Sequence, residues 1–336
     1  MEKLARSARW LFVFLFTLVL GILAWRYFRP QPAPAPRTGE PDFRVAQQSL
    51  SDPVRIVAYG DMRFTDPAET EATNPKVRRW LVERIAVEKP DAVLLSGDLP
   101  WHGGDAGDYA VYSSETPAWR DAHLRLYPAL GNHELSGGLN EQCLANWWRA
   151  FPQLQGLRYY SVLFGKSILL LSLDSNSDLT PHSQQITWLS KQLAGAPRSV
   201  HLVLLNLHHP PVVDVQANGD DSHNGRPNEA ALAAFLAASP LRSRVRFVVI
   251  GGHIHNYERF YRDGIVYIVS GGGGAKPRPV ERGPADLYQD PDFPNYHYVR
   301  LTVSGNRLDG AMIRVADPAA PAPGWQEKDY FSAVLP

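Results

Sequence analysis

Apolar residues gather along the chain in short runs, and each run breaks off at a polar cluster. Residues 54–59 are the first run of strand length, ending in Gly60-Asp61-Met62-Arg63. Asn74 and Pro75 supply an N-cap and first helical position for a helix over 76–88, where Val77, Leu81 and Ile85 recur at helical spacing. A strand over 91–96 follows and ends in Gly97-Asp98, which makes a βαβ unit with a parallel pair and a right-handed crossover. Residues 126–130 form another short run, ending in Gly131-Asn132-His133-Glu134. A helix is predicted over 140–150, then paired strands over 159–164 and 168–173 around Gly165-Lys166, the second ending at Asp174. A helix over 181–193 stops at Gly195. The very apolar residues 200–207 end in His208-His209-Pro210-Pro211, and a helix over 228–238 precedes the run at 245–250. That run ends in Gly251-Gly252-His253-Ile254-His255. Residues 265–269 lead into Ser270 and four glycines, read as a tight passage of backbone and not as a phosphate loop, since no GK[ST] follows. A hairpin over 299–303 and 308–315 and a loose stretch at 318–323 complete the pattern.

The opening residues depart from this rhythm. Lys3, Arg6 and Arg9 precede an uncharged run over 10–25, followed by Arg26 and Arg29. At about 1.5 Å per residue the run reaches roughly 24 Å, which suits an N-terminal transmembrane helix or a long signal-peptide core. Ile22-Leu23-Ala24 offers a poor cleavage site, so an uncleaved anchor is preferred; cleavage would make the protein secreted. The basic cluster keeps the tip cytoplasmic and sends the remainder to the periplasm or cell surface. The proline-rich residues 30–36 form a stiff spacer. The expected division is a basic tip and anchor at 1–29, a spacer at 30–50, a catalytic domain at 51–316 and a tail at 317–336.

Composition narrows the classes. Lys+Arg and Asp+Glu both number 34, so the net charge is zero and nothing electrostatic points to nucleic acid. Aromatic residues at 11% suit a globular core. Cys143 is the only cysteine, which excludes an intrachain disulfide and a cysteine metal site.

Five strands thus present metal-type ligands at their C-terminal ends: Asp61, Asp98, Asn132, His208 and the pair His253 and His255. An isolated HxH is more often a solvated turn, but ligands of open α/β sheets gather at these strand ends, and five coincidences in order change the balance. Carboxylate and amide oxygens with neutral imidazoles suit Mn, Fe or Zn. Two such metals about 3.5 to 4 Å apart could share one aspartate and hold a bridging hydroxide.

Gly60-Asp61, Gly97-Asp98, Gly131-Asn132-His133-Glu134, His208-His209-Pro210 and Gly252-His253-Ile254-His255 resemble the five ordered blocks of the calcineurin-like metallophosphoesterase superfamily. Tyr257-Glu258-Arg259 and the HHPP block make the chain most similar to the purple-acid-phosphatase-like branch. The resemblance implies an α/β, α+β four-layer sandwich with two mixed β-sheets flanked by helices, here preceded by the transmembrane helix. It implies two divalent or mixed-valence transition metals (Mn, Fe or Zn), with Asp98 bridging. Asp61 and His255 would hold one metal, and Asn132, His208 and His253 the other. His133 would assist departure of the leaving group from a phosphate monoester or diester attacked by a metal-bridging hydroxide. The alternative is a catalytically degenerate fold kept as a phosphate-binding or envelope interaction module.

Two positions depart from the family pattern. Arg63 stands where many members have a histidine ligand, and Trp101 where purple acid phosphatases have a tyrosine ligand. Neither side chain can coordinate, so the first metal keeps three motif ligands and is weakly held, completed by water, or filled by His102, the nearest candidate replacement, although a solvated loop histidine is the commoner reading of that residue. Arg63 is assigned to substrate phosphate through its guanidinium fork. Glu134 and Asp174 are candidates for supporting the site, Asp174 equally for a strand cap. His209 and His223 are read as solvated loop residues, and Trp147-Trp148 as core. Substrate choice falls to the loops at 101–116 and 212–226, and the motifs carry no oligomeric state.

Overall fold

Two large sheets form from the predicted apolar runs and end side by side. The computed structural model describes residues 39–217 and 223–336. The anchor expected over 10–25 and the proline-rich residues 30–36 lie outside the described residues, among which no helix is long and apolar enough to cross a membrane. In chain order the strands begin with β1 (Phe43–Val45), β2 (Val54–Tyr59), β3 (Ala92–Leu95), β4 (Leu126–Pro128) and β5 (Tyr160–Phe164). They continue with β6 (Ile168–Ser172), β7 (Leu202–Asn206), β8 (Val215–Gln216), β9 (Arg246–Gly251) and β10 (Tyr257–Arg262). The last are β11 (Ile265–Ser270), β12 (Val280–Glu281), β13 (His297–Ser304), β14 (Arg307–Val315) and β15 (Trp325–Val334). One sheet has the order β1-β5-β6-β7-β9-β11-β10, the other β15-β14-β13-β2-β3-β4, and β8 pairs with β12. Both large sheets are mixed: β2, β3 and β4 run parallel, as do β6, β7, β9 and β11, with antiparallel partners outside them.

The helices are α1 (Pro75–Glu88), α2 (Ala106–Glu115), α3 (Pro117–Asp121), α4 (Asn140–Ala150), α5 (Gln184–Ala194) and α6 (Pro227–Ala237). The predicted cap of α1 is present: the Val77 N–H donates to the Asn74 side chain at 3.1 Å, with Pro75 in the first turn. Strand alternation divides two cores. Ile168, Leu170, Leu202, Leu204, Val248 and Ile250 join the strands of the other sheet and α1 in one. Leu169, Leu171, Val203, Leu205, Phe247 and Val249 join α5 and α6 in the second. The result is helix–sheet–sheet–helix layering. A one-residue register slip in β7 would exchange the two cores, so the register is strongly held.

Asn206, fully buried at the end of β7, ties the sheets together where they approach. It accepts from Ser96 Oγ at 2.8 Å and donates to the carbonyls of Leu95 and Tyr127 at 3.2 Å. The ends of β3, β4 and β7 are thereby held at fixed separation.

The sheets run beyond the expected 51–316 boundaries. β1 pairs parallel with β5, and β15 pairs along β14, so the expected C-terminal tail is an edge strand. Trp325, Phe331 and Ala333 pack against the core, and ion pairs hold the charged middle of the strand. Arg259 grips Asp329 through Nε at 2.6 Å and Nη2 at 2.8 Å, and Tyr257 Oη donates to Asp329 Oδ2 at 2.7 Å. Asp329→Ala leaves a half-buried guanidinium and a buried phenol without their acceptor. It is expected to destabilise the protein by about 3 kcal/mol in urea unfolding.

Candidate metal centre

Every predicted site residue lies just past a strand end. Asp61 follows β2, Asp98 follows β3, Asn132 and His133 follow β4, His208 follows β7, and His253 and His255 follow β9. Asp61, Arg63, Asp98, His253 and His255 all have left-handed φ, between 50° and 71°. Non-glycine residues adopt that conformation at a cost on the order of 1 kcal/mol or more each, so the surrounding packing must impose it. Several contacts do. Glu134, buried, accepts from the backbone N–H groups of Asp98 at 2.9 Å, Leu99 at 2.8 Å and Gly131 at 2.7 Å, which locks the second loop against the third. Arg78 of α1 donates to the Arg63 carbonyl at 2.9 Å and pairs with Glu115 at 2.8 Å, fixing the first loop. Gly131 has no room for a side chain, since a Cβ there would lie 2.3 Å from Asp98 Oδ1. The glycine run is the close passage anticipated: a Cβ on Gly273 would lie 2.4 Å from the Gly60 carbonyl.

Tautomers follow from the carbonyls, which can only accept. His208 Nδ1 is 2.9 Å from the Ser96 carbonyl and therefore carries the proton. Its Nε2 then faces Asn132 Oδ1 at 2.9 Å, Asp98 Oδ1 at 3.2 Å and His253 Nδ1 at 3.2 Å. One proton could serve one of these contacts at a time, whereas a metal cation serves all four atoms. His255 repeats the arrangement. Its Nδ1 donates to the Lys276 carbonyl at 2.9 Å, turning Nε2 toward Asp61 Oδ1 at 3.5 Å. His255 Nε2, Asp61 Oδ1 and Asp98 Oδ2 are all buried with no hydrogen-bond partner among the described residues. Buried lone pairs facing one another are what a cation-binding donor set requires, so these residues could hold metal on both sides of Asp98.

The electrostatics agree. Burial pushes the Asp61 carboxyl up to about 7, opposed by His208 and reinforced by the Asp98 charge. Burial acts on Asp98 in the same direction, but His208, His133 and Arg63 overturn it and hold this carboxyl well below the usual range. Two adjacent carboxylates in a dry site cannot both ionise comfortably without added positive charge. Burial also holds His255 well below its ordinary value, keeping it neutral, as a ligand must be.

The surroundings differ in part from expectation. His102 matches its solvated-loop reading: its side chain is well exposed, its ring lies against Trp101 and its Nδ1 is 3.9 Å from Asp108. His209 and His223, expected to be solvated, are buried, with rings 4.4 and 4.6 Å from that of His253. Ser175 Oγ contacts His209 Nδ1 at 2.8 Å. The only signal for His209 was its adjacency to His208. Glu134 supports the site as anticipated, while Asp174 organises its own turn with Ser177 and Arg158. Trp147 is core.

A profile of the calcineurin-like phosphoesterase family matches residues 54–257, more than half of the chain. The chain belongs to that family. This calcineurin-like phosphoesterase is 31% identical, over 76% of its length, to the Arabidopsis thaliana protein described as "Probable purple acid phosphatase 20". Relatives of this kind set it on the purple-acid-phosphatase-like branch. It spans 58% of that relative's length. Among solved structures it resembles purple acid phosphatase PPD1 from yellow lupin (Lupinus luteus) seeds, with a TM-score of 0.66 and 18% identity, covering 85% of this chain and 54% of that one. It also resembles a dimetal phosphatase from Danio rerio, with a TM-score of 0.58 and 14% identity over 85% of this chain and all of that one.

Metal-free protein supplied with Mn²⁺, Fe²⁺ or Zn²⁺ at a hundredfold excess over its dissociation constant is expected to gain about 2.7 kcal/mol of stability per site, read as a raised thermal midpoint. The gain should vanish in Asp98→Ala. A midpoint unmoved by all three metals would show that the cluster does not take them.

Proposed function

We propose that this chain hydrolyses phosphate monoesters or diesters at a dinuclear transition-metal centre. The observation that carries the reading is the pair of buried lone-pair clusters on either side of Asp98, with a guanidinium and an imidazole beside them. Asp98 is assigned as the bridging residue, because its Oδ1 faces His208 while its Oδ2 is the unpartnered oxygen on the other side. Asp61 and His255 would complete one site, and Asn132, His208 and His253 the other. Bound there, two divalent or mixed-valence metals (Mn, Fe or Zn) supply Lewis-acid charge to phosphoryl oxygens and ease deprotonation of the attacking water.

The chain's own side chains do the rest. Arg63 Nη2 lies 3.6 Å from Asp98 Oδ2, so its guanidinium borders the centre and offers its donors to a phosphate oxygen. His133 Nε2 lies 3.7 Å from the same oxygen, and in the protonated ring it is placed to give a proton to the departing alkoxide. Burial, aided by Arg63 and opposed by Asp98, holds the His133 imidazole below its ordinary value. The neutral form therefore prevails at pH 7, and the acid form grows as pH falls.

With an aryl phosphate substrate, the rate limb that depends on His133 is expected to decline as pH rises, with a midpoint below about 6.5. His133→Ala should lose that limb and about 100-fold in kcat at unchanged metal content. A wild-type rate in this variant removes His133 from the mechanism. Metal and phosphate binding with no turnover would favour the binding-module alternative.

The same reading tethers the domain outside the cytoplasm through residues 10–25, on the strength of their apolar run and basic flanks. A reporter active only outside the cytoplasm, fused after residue 36, should give signal. A silent fusion would sink the topology.

A further inference from the structure

The two departures from the family pattern touch each other. Backbone pairing between the loops after β2 and β3 brings them together: the N–H groups of Arg63 and Phe64 donate to the carbonyls of Asp98 and Leu99 at 2.9 and 2.7 Å, and that of Trp101 to Phe64 at 3.0 Å. The Arg63 guanidinium carbon then lies 4.7 Å from the centroid of the Trp101 ring. His133 stacks on the same indole, with centroids 4.6 Å apart and planes 20° from parallel. The Trp101 carbonyl, 2.6 Å from His133 Nδ1, fixes the proton there, so Nε2 accepts from Arg63 Nη2 at 2.9 Å. Arg63 is buried to more than nine-tenths, and its Nε has no hydrogen-bond partner among the described residues.

A buried guanidinium with an unused N–H is an anion site in waiting, because it retains a donor that nothing among the described residues satisfies. An arginine fixed in one rotamer gives up much of its side-chain entropy. Here the indole face and the imidazole hold it before any ligand arrives, which is preorganisation.

We propose that Trp101 is a positioning residue for phosphate: its ring and its carbonyl set Arg63 and His133 as one unit, and it acts on the ligand only through the Arg63 guanidinium. This assignment rests on the phosphoesterase reading for its choice of phosphate, but its test does not require turnover. Inorganic phosphate is titrated calorimetrically into metal-loaded wild type, Trp101→Ala, Arg63→Ala, the double variant and Trp101→Phe, with the metal content of each measured.

Trp101→Ala and Arg63→Ala should each weaken phosphate binding about tenfold at unchanged metal content. The double variant should also be weakened about tenfold, not a hundredfold, since the two residues act in series. Trp101→Phe, which keeps an aromatic face, should bind close to wild type. Unchanged affinity in Trp101→Ala, losses that multiply in the double variant, or metal lost from Trp101→Ala would each overturn the assignment. Coupled phosphate binding in a protein that cleaves no ester would sink the hydrolase reading and support this one.

Discussion

Asp98 is a carboxylate with no solvent contact, and the rest of the centre can be understood as what such a group demands. Buried charge must be matched by nearby donors or cations. The backbone N–H of His133 donates to Oδ1 at 3.0 Å, the His208 ring faces the same oxygen, and Arg63 lies beyond Oδ2. Among the described residues Oδ2 has no hydrogen-bond partner, and neither do Asp61 Oδ1 and His255 Nε2. A cation would satisfy all three lone pairs at once, which a single proton could not do.

Holding those lone pairs face to face is expensive, and the fold supplies the constraint. Left-handed backbone at Asp61, Asp98, His253 and His255 turns each side chain inward immediately after its strand. Asn206 fixes the strand ends, Glu134 clamps the second and third loops, and Arg78 clamps the first. These are rigid contacts to backbone atoms, so the donor set is preformed and little is left to reorganise on binding.

Much of this was legible in the sequence because strands buried on both faces read as unbroken apolar runs. Residues 54–59, 200–207 and 245–250 announce β2, β7 and β9, and each marks where a ligand should follow. What escaped has physical reasons. The loop read at 101–116 contains α2, whose residues are poor helix formers and whose start depends on an Asp105 cap. β10, Tyr-Glu-Arg-Phe-Tyr-Arg, has no strand alternation, since Tyr257 and Glu258 are both buried and Tyr261 and Arg262 both exposed, so it passed as the end of a motif. β15 holds Gln326, Glu327, Lys328 and Asp329 in succession, anchored by ion pairs that leave no periodic trace. The burial of His209 and His223 depends on which segments cover them, which spacing does not encode.

The contact between Arg63 and Trp101 changes how their departures from the family pattern weigh. Taken singly, each removes a possible metal ligand and argues for a poorer site. Taken together, they exchange ligands for a fixed positive charge beside the unpartnered oxygen of Asp98. A tyrosinate at position 101 would add negative charge to the centre, and a histidine at position 63 would add none. The guanidinium adds a full positive charge. Phosphoryl transfer is limited mainly by stabilising charge on non-bridging oxygens, so the exchange moves binding strength from holding the metal toward holding the anion. On the proposed reading, a loss of coordination and a gain of anion affinity are one structural change, carried by a single stacked pair.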